Sequence, residues 1–145
     1  MTVQRESRMQ SRRVMVARAA GFEIDDADEV VEAGFAEEPD GSGFALMFQR
    51  TDYEPDEQDV RFGFDTYCLT TGDGRTHYGG LRSAKLAGAD LTLTISPDAS
   101  ATIGVAEVST ITLDVDADSL AAFRDGLPQV VNWGRDSEIP ALSGF

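Results

Sequence analysis

Asp52-Tyr53-Glu54-Pro55-Asp56-Glu57-Gln58-Asp59-Val60-Arg61-Phe62-Gly63-Phe64-Asp65-Thr66-Tyr67-Cys68-Leu69-Thr70-Thr71-Gly72-Asp73-Gly74-Arg75-Thr76-His77-Tyr78-Gly79-Gly80 is the stretch on which the reading of the fold turns. It opens with five carboxylates around Pro55, which reads as an acidic loop, and from Val60 it alternates. In a strand, residues two apart share a face. That spacing predicts one face made of Val60, Phe62, Phe64, Thr66 and Cys68, reading as core. The opposite face, Arg61, Gly63, Asp65, Tyr67 and Leu69, mixes polar and aromatic groups. Gly72-Asp73-Gly74 supplies residues that tolerate positive φ, so a hairpin is expected there. Gly79-Gly80 predicts a bulge or a close backbone approach.

Outward from this centre, Phe44, Leu46 and Phe48 repeat with period two and predict a buried strand. Upstream, Val14, Val16 and Phe22 predict a first strand and 29–36 a second, with Asp25-Asp26-Ala27-Asp28 as turn chemistry between them. Downstream, 81–86 and the alternation of Leu91, Leu93 and Ile95 predict two more strands. Ser96-Pro97-Asp98 is an N-cap, a first-turn proline and a first-turn acid, which opens a short helix closed by Gly104. Ile111, Leu113 and Val115 predict another strand. Asp116 or Asp118 can cap a last helix whose Leu120, Phe123 and Leu127 recur at helical spacing, and Pro128 is expected to kink or end it. The class is α+β: a strand-dominated antiparallel sheet, a helical insert near 97–103, and a C-terminal helix near 117–131 packed on the sheet. Residues 1–13 read as a disordered leader, 14–133 as a single domain, and 134–145 as a C-terminal tail.

The 145 residues carry a net charge of −14, and the charge is unevenly placed. Five arginines stand against Glu6 in residues 1–18, whereas 23–59 hold fourteen carboxylates against Arg50 alone. Such a field disfavours nucleic acid and anionic membranes as partners, because phosphates are bound by Lys and Arg, and it favours basic proteins or cations. No apolar run approaches a membrane span or a signal-peptide core, so a cytoplasmic location is the default expectation. Cys68 is the single cysteine, which excludes an internal disulfide and reads as a buried thiol. His77 is the single histidine and lacks a catalytic context; one Cys and one His do not make a structural zinc site. No nucleophile elbow or phosphate loop occurs. Neither catalysis nor a cofactor is expected. Asp52, Glu54, Asp56, Glu57 and Asp59 could offer oxygen ligands to calcium, without EF-hand spacing. With Tyr53, the same residues suit a protein partner better, since Tyr gives contact area and carboxylates steer a basic surface into register.

The run Asp56 to Cys68, together with His77-Tyr78-Gly79-Gly80, resembles the immunity protein 10 family, found beside toxin genes in bacterial polymorphic toxin systems. The likeness extends over 14–130, through Leu91-Thr92-Leu93-Thr94-Ile95-Ser96-Pro97, the helix ending at Gly104, and Ile111 to Val115. The matching positions are Gln58, Asp59, Gly63, Asp65, Tyr67, Tyr78, Gly79 and Gly80, while Pro128, the arginine-rich leader and 134–145 depart from the pattern. The resemblance implies a non-enzymatic antitoxin that binds a cognate toxin domain. The acidity adds an independent hint that this toxin is a basic nuclease. On this reading the matched motif is scaffold, and Asp52, Tyr53, Glu54, Asp56, Glu57 and Asp59 form the contact loop. An acidic ligand-binding or calcium-binding module is the alternative.

Overall fold

The computed structural model describes residues 12–145. In chain order it comprises β1 (Arg12–Ala17), β2 (Ala19–Asp25), β3 (Val30–Ala36), β4 (Ala45–Thr51), α1 (Glu57–Phe62), β5 (Cys68–Thr71), β6 (Thr76–Tyr78) and β7 (Leu81–Ala87). There follow β8 (Asp90–Ile95), α2 (Pro97–Ile103), β9 (Val108–Leu113), α3 (Ala117–Val131), a 3-10 turn (Asp136–Glu138) and β10 (Ala141–Ser143). The class is α+β, with two five-stranded sheets where the sequence suggested one. One sheet is the antiparallel meander β2-β3-β4-β5-β6; the other, ordered β1-β9-β8-β7-β10, is antiparallel at its centre and parallel at both edges.

Two short crossings carry the chain between the sheets. Arg18 alone separates β1 from β2, and its N–H is held by the carbonyls of Ala36 and Glu37 at 3.0 and 3.2 Å. What reads as a single strand from Val14 to Phe22 is therefore two strands in different sheets. The buried side of β1 is Met15 and Ala17, with Val14 84% exposed, so the alternation holds with its faces exchanged. The return crossing is Gly79-Gly80, both with positive φ. A Cβ on Gly80 would lie 2.7 Å from the Cβ of Ala99 in α2, the close approach that the glycine pair suggested.

In the meander, Val31, Ala33, Phe35, Leu46, Phe48 and Leu69 are buried on one face, in register across β3, β4 and β5. Helix α3 covers that face, with Phe123 edge-on to Phe35 at 6.3 Å between centroids. The same continuous core takes in Leu81, Leu86, Leu91, Leu93, Ile95, Ile111 and Leu113 of the other sheet and Ile103 of α2. Asp116 caps α3 by accepting from Ser119 N–H at 2.7 Å, and Ser96 caps α2 by accepting from Ala99 N–H at 3.1 Å. These caps are the ones the sequence offers.

Helix α3 does not stop at Pro128 but runs on to Val131. The lost proline N–H frees the carbonyl of Arg124, a residue on the exposed side, where water can satisfy it. The last turn is tied down from outside: Arg50 Nε donates to Gln129 O at 2.8 Å, with the guanidinium facing Trp133 at 5.7 Å. Residues 134–145, read as a tail, hold the 3-10 turn and β10, which pairs in parallel with β7 from Ala141–Ser83 to Ser143–Lys85. Of the expected leader, residues 1–11 lie outside the described residues, while Arg12 and Arg13 begin β1.

Candidate functional site

The acidic stretch leaves β4 through a bend in which Asp52 N–H donates to Glu29 O at 2.7 Å. At Asp56 the chain takes extended backbone angles and a helix starts, correcting the expected strand over Val60 to Cys68. A reciprocal cap fixes this start: Asp59 N–H donates to Asp56 Oδ1 at 2.8 Å, and Asp56 N–H donates to Asp59 Oδ2 at 3.0 Å. Gly63 closes α1 in the left-handed conformation at φ 75°, with its N–H on Val60 O, and Phe64 N–H reaches back to Asp59 O at 2.8 Å. The period-two apolar pattern is thus spent on one helical turn and a half plus its cap. Strand β5 begins only at Cys68.

No residue of α1 is buried. Six residues do not hold a helix in water by themselves. Here the caps are reinforced by Arg135, whose Nη2 lies 2.6 Å from Asp65 Oδ1 and 3.4 Å from Gly63 O. The hydrogen bond from Arg135 holds the Asp65 carboxyl below the ordinary carboxylate range. An acid held low in the folded state adds stability above its unfolded value of about 3.9, and this is lost as the pH falls through the lower folded value. We expect Asp65→Asn to lower stability by about 1 kcal/mol at pH 7. The gap between the thermal midpoints of the two proteins should close as the pH falls below about 4. A gap that persists in acid would remove the ion pair as its cause.

The arrangement exposes the residues that read as core. Val60 (58%), Phe62 (57%) and Phe64 (45%) face solvent, as do Tyr53 and Tyr78. Their neighbours on the other parity, Tyr67 and Leu69, are fully buried. Phe64 packs on Phe62 at 6.1 Å and on Tyr78 at 4.7 Å between centroids, both pairs tilted by 35°. Asp52, Glu54, Asp56 and Glu57 are exposed on the same segment, Asp56 and Glu57 beside Phe62, and Asp59 is half-buried. Between α1 and the outer face of the meander lies a recess of about 300 Å³ lined by Gln49, Tyr53, Asp59, Phe64, Thr66, Cys68 and Tyr78, with Val30, Arg50 and Thr51 at its margin. Burial pushes the Cys68 thiol up, and likewise the Tyr78 phenol.

The structure gathers the six loop residues named from sequence onto one segment, with Tyr53 and Asp59 entering the recess. The motif residues separate into different duties. Gln58 is exposed on α1, Gly63 ends that helix, and Asp65 anchors it. Tyr67 is a buried hub whose hydroxyl donates to Glu138 O at 2.6 Å and accepts from Leu81 N–H at 3.1 Å. Its burial pushes the phenol far up. Gly79 and Gly80 make the crossing, and Gly80 N–H donates to Glu138 Oε2 at 3.0 Å. Tyr78 stands with the exposed aromatics. The expectation missed Phe62 and Phe64; the signal that finds them is Asp56 and Asp59 at N-cap spacing followed by Gly63. Among the described residues no three His, Cys, Asp or Glu side chains converge on a metal position.

The model of the immunity protein 10 family matches residues 16–121, which include α1, the aromatic cluster and the glycine crossing. The chain belongs to the immunity protein 10 family. No curated protein and no solved structure matches it. Membership of that family makes it an immunity protein and implies a toxin protein as its partner. Among the described residues, no helix of this immunity protein is long and apolar enough to cross a membrane.

Proposed function

We propose that this immunity protein binds and neutralises a cognate polymorphic toxin domain through the face formed by residues 52–64 and Tyr78, and that the toxin is of a basic, nuclease type. One observation carries the reading: Phe62, Phe64 and Tyr78 form an exposed aromatic run, with Tyr53 and Asp59 beside Phe64 and Tyr78 and with Asp56 and Glu57 beside Phe62. Exposed aromatics cost solvation in the free protein, and clustered apolar side chains with a polar rim are the anatomy of a binding centre. Aromatic anchors supply affinity, and the carboxylates supply steering and register. A nuclease must present Lys and Arg to hold phosphates, so its cleft is the complement of these carboxylates.

The test takes as candidate partner any toxin domain found encoded beside this gene. Coexpression should rescue growth, and binding should weaken steeply between about 0.05 and 0.5 M salt, where exposed charges become screened. The double substitution Asp56→Lys with Glu57→Lys should abolish rescue. Salt-insensitive binding, or rescue by the double variant, would overturn the reading.

A further inference from the structure

We infer that the recess beneath the aromatic cluster is an anchor pocket for a single guanidinium side chain of the toxin. The inference rests on the toxin-binding reading and goes beyond it by naming the chemistry that the pocket accepts. Three aromatic side chains, Tyr53, Phe64 and Tyr78, line it, and Phe64 and Tyr78 pack on each other with centroids 4.7 Å apart. Ring faces attract cations, and a planar guanidinium stacks on them as an ammonium does not.

Among the polar groups that line the recess, three offer acceptor oxygens that lack a strong donor. Asp59 spends Oδ2 on the Asp56 N–H, which leaves Oδ1 available. Gln49 Oε1 meets only the weak donor Cys68 Sγ, at 3.9 Å. Thr66, 3% exposed, keeps a hydroxyl with no partner. Arg50 is the one cationic residue at the margin, and two of its five N–H groups are engaged by backbone carbonyls. Nε donates to Gln129 O at 2.8 Å and Nη1 to Thr51 O at 2.9 Å, with Asp52 3.9 Å away. An anion entering the recess would meet the Asp59 carboxylate, and the one cation there, Arg50, is already tied to Gln129 O and Thr51 O with Asp52 beside it. A guanidinium would bring five donors to acceptors that lack them.

Cys68, the only cysteine in the chain, lines the recess and reports its occupancy. The rate of its modification by the neutral reagent methyl methanethiosulfonate is measured against added N-acetyl-arginine amide and against N-acetyl-citrulline amide, which has nearly the same shape and no charge. The arginine probe should slow the reaction in the millimolar range expected of so small a ligand, and the citrulline probe should not. Asp59→Asn keeps an oxygen for the helix cap and should raise the half-protecting arginine concentration about tenfold, the loss of one charge-assisted contact. Asp28→Asn makes the same change in net charge outside the recess and should leave protection unchanged. Equal protection by the two probes, no protection by arginine, or an unchanged response in Asp59→Asn each overturns the pocket, and toxin binding through the surrounding face then stands on its own test. If the arginine probe protects Cys68 while the bound toxin does not, the toxin docks elsewhere and the assignment of this recess to it is overturned.

Discussion

Phe64→Ala is expected to weaken toxin binding by about a hundredfold, while the thermal midpoint moves by only a few degrees. The two effects separate because of where the ring lies. Nearly half of it is in water, so truncation removes little buried area from the fold. It is also the middle member of the run Phe62-Phe64-Tyr78 and lines the recess. Central, desolvated aromatics carry a disproportionate share of interface energy, about 2–4 kcal/mol on truncation. Titration calorimetry with the toxin domain, paired with thermal melts, separates the two quantities. An affinity within about threefold of the original would show that the cluster lies outside the interface.

Gly80→Ala should do the opposite, destabilising the protein by about 3 kcal/mol or more through backbone strain and overpacking. At φ 96° an L side chain is strained, and the added methyl carbon would lie 2.7 Å from Ala99 Cβ and 3.1 Å from His77 Nδ1. Ala99 is fully buried in α2, so the helix would have to move away. The same position donates its N–H to Glu138, and a shift there pulls on the Tyr67 hub as well. Urea denaturation measures the loss. Gly21→Ala is the matched control, since a Cβ there meets nothing within 4 Å and φ is ordinary. Similar losses for the two substitutions would mean that the crossing is more pliable than its packing indicates.

The elements that could be read from the chain are those whose signals are local. Ser96-Pro97 and Asp116 announce their helices by capping chemistry, and Phe44, Leu46 and Phe48 announce a core strand by alternation. The reading failed where two local signals compete. Val60, Phe62 and Phe64 fit a strand by spacing, whereas Asp56, Asp59 and Gly63 fit a capped helix, and the caps prevail because they satisfy backbone groups at both ends. The spacing argument also presumes that apolar side chains seek the core. Here the toxin-binding reading gives them another destination. Tyr67 looked like a polar-face residue because its hydroxyl partners, at Leu81 and Glu138, lie 14 and 71 positions away. Pairing of β10 with β7 is equally non-local, and three residues reading Ala-Leu-Ser announce nothing by themselves.

That short final strand has a practical consequence. Trimming the protein after Trp133, where sequence alone invites a boundary, would strip β7 of its neighbour and bare the backbone donors and acceptors that Ser83 to Lys85 now share with β10. Such a row is a template on which further chains can stack. β10 thus shields part of that edge, and its three residues are too few to offer a long template in turn.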